Sequence, residues 1–219
     1  MQDIRTEVPV ESVDILKRNL SILTIILFLL TVVSLVSVTN FTIIFLHLFL
    51  FFLSLSLLWR KSIKETIEYI GLGSVKTNIL FTVLGLVSIY IAAIILNIIL
   101  AQFNFNDSNK IVEIIQQLPE FILVFGVIFA PFSEELFFRA YLTRRLEFKF
   151  LKYSGVLMSA ILFSIVHLTY GSVYEFFGTL LIGLILAIIY VRSKSITPCI
   201  LIHMIFNLTS LLIIKSVTG

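Results

Sequence analysis

Apolar residues in this chain come in long continuous blocks rather than in alternation. Seven blocks stand out, at about 20–38, 41–59, 79–100, 118–138, 153–168, 173–190 and 197–214. Each approaches the roughly 20 residues that an α-helix needs to cross the hydrocarbon of a bilayer. Continuous runs argue against an outer-membrane barrel, whose strands alternate. The pattern predicts an all-α, polytopic transmembrane helical bundle of about seven spans. Only Thr39 and Asn40 separate the first two blocks, so those spans form a tight helical hairpin. Between blocks, residues 60–74 set Ile63, Ile67 and Ile70 at helical spacing among charges, which reads as a short amphipathic helix on the inner membrane surface. Residues 107–117 repeat that pattern more weakly on the other side.

Composition agrees with a lipid environment. Of 219 residues, 59% are hydrophobic, and the mean hydropathy is +1.10; a soluble domain of this length would need far more polar surface. The net charge of +3 says less than its placement. Fourteen basic residues fall on one side of the alternating connections: Arg5, Lys17, Arg18, Arg60, Lys61, Lys64, Lys76, Arg139, Arg144, Arg145, Lys149, Lys152, Arg192 and Lys194. Lys110 and Lys215 are the two on the other. By the positive-inside rule this is a multi-pass cell-membrane protein with its N-terminus in the cytoplasm and its C-terminus outside. The basic residues form no patch interleaved with aromatics, so nucleic acid is not an expected partner. One cysteine, Cys199, allows no internal disulfide or cysteine metal cluster and reads as a small buried apolar residue. The expected organisation is a cytoplasmic segment 1–19, one transmembrane domain 20–214 and a tail 215–219. The first span reads as an uncleaved signal anchor. Gly71 and Gly73 follow no strand, so they are not a nucleotide loop.

Candidate chemistry lies in the ionisable groups that the pattern buries. An acid or base at a helix centre costs roughly 2.5–3.5 kcal/mol on insertion scales, so such groups normally face the bundle interior and mark a site or a partner. The stretch APFSEELFFRA, 130–140, places Glu134 and Glu135 side by side in a span. Glu135 and Arg139 are four apart and can pair along one helix. Glu134, rotated by about 100°, has no obvious local partner. Pro131 should kink the helix, and Ser133 could cap a restarted one. Phe163 and His167 share a face of the fifth span; His203 and Asn207 share a face of the seventh. At 1.5 Å per residue, Glu134, His167, His203 and Asn207 lie roughly 12–23 Å above the inner face, within a middle slab. Three helices can bring them together. His47 reads as an isolated helix–helix hydrogen-bonding group and a control that can be replaced at little cost.

At these positions EELFFR (134–139) matches an EExxxR motif, FSIVH (163–167) matches FxxxH, and HMIFN (203–207) matches HxxxN. In order and placement they resemble the CAAX-protease and bacteriocin-processing (CPBP, or Abi) family of intramembrane proteases, over about 118–207. The resemblance implies an endopeptidase in which Glu134 and His167 activate a water and His203 with Asn207 form an oxyanion site, while Glu135, Arg139 and Phe163 support them. Peptide hydrolysis needs these parts: a base, a proton for the leaving amine, and donors where negative charge develops. The family was long described as zinc-dependent, with Glu134, His167 and His203 as possible ligands, but the favoured reading uses no metal. The expected partners are membrane lipid and a peptide or protein substrate entering from the cytoplasmic side. The expected role is bacteriocin or peptide maturation, or self-immunity. The alternatives are a zinc protease of the same fold, a non-catalytic membrane immunity or binding protein, and a transporter using Glu134 as a proton site. The last is weakened by the lack of an inverted repeat.

Overall fold

A computed structural model describes residues 39–103, 105, 107–147 and 153–218. The segment 1–19, the expected first span at 20–38, and Lys149 and Lys152 lie outside them. The described residues form eight α-helices and no strand. These are α1 (Asn40–Leu58), α2 (Ile63–Ile70), α3 (Val75–Gln102), α4 (Asn109–Gln117), α5 (Glu120–Glu135), α6 (Ser154–His167), α7 (Val173–Ser193) and α8 (Thr197–Thr218). Five are long and apolar enough to cross a membrane: α1, α3, α7, α8, and α5 taken with its continuation through Thr143. The predicted blocks therefore stand as helices, one by one, from the second to the seventh.

One expectation needs correction. Ser133 does not cap a restarted helix: α5 runs without interruption through Pro131 and Ser133, and the Ser133 hydroxyl donates to the Ala130 carbonyl at 2.9 Å. The irregularity comes later, as a π-helical stretch at Leu136–Thr143 that carries α5 five residues beyond its predicted end at 138. Its wider turn lets the Thr143 hydroxyl reach the Phe138 carbonyl, five residues back. All eight of its side chains are buried. The predicted fifth span, 153–168, is the shortest block and stands close to its predicted bounds. Its α-helix, α6, has 14 residues, and a 3-10 turn at Leu168–Tyr170 finishes it. It stops next to the candidate site, short of the roughly 20 residues of a full span.

Hydrogen bonds mark the two ends of the bundle. At one end, the backbone amide of Ile196 donates to the Gly71 carbonyl, the Tyr190 hydroxyl to Ile70 and the Arg144 guanidinium to Tyr69. This end holds the described basic connections and α2. Gly71 is required there: its φ is +80°, and a Cβ on it would lie 2.3 Å from the Lys194 carbonyl oxygen. In α2, Ile70 is buried against the bundle, whereas Ile63 and Ile67 stay exposed. At the other end, Asp107 accepts from the Ser172 hydroxyl and from the amides of Val173 and Tyr174, capping α7. Lys110 donates to the Gly171 carbonyl and Lys215 pairs with Glu120.

The core gathers at the basic end and in the middle, around Phe137, Phe138, Leu142, Leu146, Phe163, Leu186 and Ile202. Outward-facing apolar residues, such as Ile79, Val83, Val87, Ile91, Ile94 and Ile98 of α3, remain exposed. A helix apolar on all sides with such an outer face is suited to lipid.

Candidate active site

The π-helical stretch and α5 deliver the two acids in different directions. Glu135 is fully buried. Its Oε2 lies 3.0 Å from Arg139 Nε, and its Oε1 accepts from His203 Nδ1 at 2.9 Å. The expected i,i+4 ion pair is present, and through Glu135 it also orients the α8 histidine. Arg139 is itself fully buried, with its guanidinium carbon 4.7 Å from the centre of the Phe163 ring. None of its three side-chain nitrogens has an aligned hydrogen-bond partner among the described residues. Ring faces and the nearby carboxylate are what compensate its charge. Phe163 thereby links all three motifs: it packs on Arg139, its ring centre is 4.6 Å from that of His167, and it meets His203 edge-on at 5.9 Å.

Glu134 turns the other way, into a cavity. Its Oε1 lies 3.0 Å from His47 Nε2 and its Oε2 lies 3.8 Å from His203 Nε2. The partner that short-range spacing could not supply comes from α1, 87 residues away in sequence. His47 is therefore no control residue: it is buried against the acid, with Phe125 edge-on to its ring. Sequence reasoning missed it because a single histidine in an apolar span carries no spacing motif; the cost of burying it was the available signal.

A cavity of about 250 Å³ collects the candidates. His47, Glu134, Phe163, His167, His203 and Asn207 all line it, as do Tyr170, Glu175 and Thr179. A smaller one of about 60 Å³ adjoins Glu134, His47 and His167 on the α1 side. Glu175, near the start of the sixth apolar block, is a further acid that the sequence pattern did not single out. The large cavity runs from the bundle centre past Ile122, Gly126, Leu211 and Ile214 to Ile111, Ile114 and Ile115 of α4. It occupies the half of the bundle away from the basic connections.

Hydrogen-bond roles follow from the acceptors. His167 Nδ1 lies 2.7 Å from the Phe163 carbonyl, so that nitrogen donates and Nε2 is left to accept. Asn207 Nδ2 donates to the Gly126 carbonyl at 3.3 Å, tying α8 to α5 and leaving one amide hydrogen. The zinc alternative needs Glu134, His167 and His203 to converge on one point. Among the described residues no three His, Cys, Asp or Glu side chains are placed to hold one metal ion.

Residues 116–209 match the family model described as Type II CAAX prenyl endopeptidase Rce1-like. The matched segment contains EELFFR, FSIVH and HMIFN, and the motif resemblance and the match point to the same protease family. No curated protein and no solved structure matches the chain.

Proposed function

From the match of residues 116–209 to the type II CAAX prenyl endopeptidase Rce1-like family, we propose that this chain is an intramembrane endopeptidase using Glu134 as its general base. A water held between Glu134 Oε2 and His167 Nε2 attacks the peptide carbonyl. Its proton passes to Glu134 and then to the nitrogen of the leaving amine as the C–N bond breaks. The carbonyl oxygen takes up negative charge facing the remaining hydrogen of Asn207 and, when His203 is imidazolium, its Nε2–H. Glu135 and Arg139 hold His203, and no metal takes part. The observation that carries this reading is that Glu134, His167, His203 and Asn207, from three helices, line a single cavity.

That cavity favours a particular substrate and route. Its walls are mostly Ile, Leu, Val and Phe, which suits a peptide with apolar side chains or an attached apolar chain. It reaches the surface beside α4, whereas Phe137, Phe138 and Leu142 fill the basic half. If the basic connections face the cytoplasm, the peptide approaches from the opposite face, not by the cytoplasmic route expected above. Bacteriocin or signalling-peptide maturation on that face is the cellular role we favour.

The test is cleavage of an apolar reporter peptide by the full chain in proteoliposomes. Glu134→Gln lowers kcat/KM by more than about 100-fold, on the scale of losing a general base and its positioned water. His167→Ala does likewise, and wild-type cleavage persists under strong chelation. Equal rates for wild type and Glu134→Gln would refute the proposal, and loss of activity to the chelator would restore the zinc alternative.

A further inference from the structure

His47 lies outside residues 116–209 and outside all three motif strings. Its ring is pinned at both nitrogens. Nδ1 is 2.7 Å from the carbonyl oxygen of Ile43, which can only accept, so Nδ1 carries a hydrogen. Nε2 is 3.0 Å from Oε1 of Glu134. A neutral imidazole with its hydrogen on Nδ1 has a bare lone pair at Nε2. Facing an ionised carboxylate at that distance, in a buried place, such a lone pair is repelled. The other neutral tautomer only moves the conflict to Ile43. A hydrogen must therefore sit between Nε2 and Oε1, and it can belong to an imidazolium or to a carboxylic acid.

We infer that His47 and Glu134 form one proton-holding unit, in which His47 positions Glu134 and the pair carries one proton more than a neutral imidazole and an ionised carboxylate. The inference rests on the endopeptidase reading for its effect on rate, but not for its proton count. The unit makes the two carboxylate oxygens unequal. Oε1 is occupied by His47, which leaves Oε2, on the His203 side, to face the cavity. The water proton goes to Oε2 and on to the leaving amine; as Oε2 takes it up, the shared proton sits on His47 Nε2, and it remains with the pair through the cycle. His47 is thus a positioning residue for the general base. Its role resembles that of the carboxylate orienting the histidine of a hydrolase triad, with acid and imidazole exchanged.

Other titratable groups face the same cavities. His167 and Tyr170 line the same cavities from α6 and the turn after it; Glu175 of α7 and His203 of α8 line the larger one. Arg139 is turned to Glu135 and Phe163. Glu134 is the acid within hydrogen-bond distance of the His47 ring.

The chain has three histidines, which makes the proton directly observable. The experiment uses the full chain in nanodiscs with ¹⁵N-labelled histidine, read at neutral pH together with the infrared carboxyl region. Wild type gives either a doubly protonated His47 ring or a protonated carboxyl band, and both His47→Gln and Glu134→Gln abolish that signature. A singly protonated His47 ring with no such band in wild type, or a signature that survives Glu134→Gln, overturns the inference. In the hydrolysis arm, His47→Ala lowers kcat by at least about 10-fold with KM within about twofold, and changes the shape of the pH–rate profile. Added imidazole restores part of the rate. A loss that is uniform across pH and indifferent to imidazole makes His47 merely structural and also overturns it. Thermal unfolding of each variant separates misfolding from loss of the proton. Absence of hydrolysis in wild type defeats the endopeptidase reading while leaving the spectroscopic arm decisive.

Discussion

Arg139 is the residue whose burial is hardest to sustain. Its guanidinium is shut off from solvent, close to a single carboxylate and over the Phe163 ring. Removing one member of such a pair leaves the other as an uncompensated buried charge. Arg139→Ala should therefore destabilise the bundle by about 3–5 kcal/mol, read as a lower thermal midpoint in detergent. The loss should extend to function, because Glu135 would no longer be fixed to hold His203. At this scale the sequence was partly legible. The Glu135–Arg139 pair follows from i,i+4 spacing, and the faces of His167, His203 and Asn207 follow from helical phase. The His47–Glu134 contact does not, because its register depends on how α1 packs against α5, a tertiary fact with no local signature.

Helix α7 shows how one element is held at its start. Asp107 accepts from the first-turn amides of Val173 and Tyr174 and from the Ser172 hydroxyl, beside Lys110. Burial works against its ionised form, but the amide and hydroxyl donors and the lysine prevail, so its pKa lies below the ordinary carboxylate value. Asp107→Ala should cost about 1 kcal/mol, the usual loss for a helix cap. The sign with pH is fixed: a lowered folded pKa stabilises above the unfolded value of about 3.9 and loses that contribution as pH falls through the folded one. The gap between wild type and Asp107→Ala should be constant near neutrality and close under strong acid, as checked by thermal unfolding across pH. Element identities were readable from apolar run length, within a few residues at most ends. The π-helical stretch was not: it keeps the same apolar content as an α-helix and changes only which carbonyl each amide meets. Pro131 drew the expectation that Ser133 caps a restarted helix, yet the missing amide is tolerated inside a continuous one.

For the molecule as a whole, the site depends on a close approach between α6 and α7. A Cβ added at Gly183 would lie 3.2 Å from Ala160 Cα and 3.3 Å from its Cβ, tighter than ordinary contact. Gly183→Leu should overpack that seam at a cost of about 1–3 kcal/mol and displace α6, which carries His167. The expected result is a fall in both thermal midpoint and kcat; unchanged hydrolysis would mean that α6 is not what positions the imidazole. The whole-molecule order of helices was legible because each apolar block becomes one helix. The cavity's direction was not, since its walls come from α1, α4, α5, α6, α7 and α8 together. The measurement that bears most directly on the central claim is a double-substitution cycle on hydrolysis in proteoliposomes, with Glu134→Gln, His203→Ala and both together. Groups that act as one centre lose their effect together, so the double variant should be no slower than about the worse single one. Losses that multiply would mean that the acid and the histidine work independently, and would contradict a shared water-activating site.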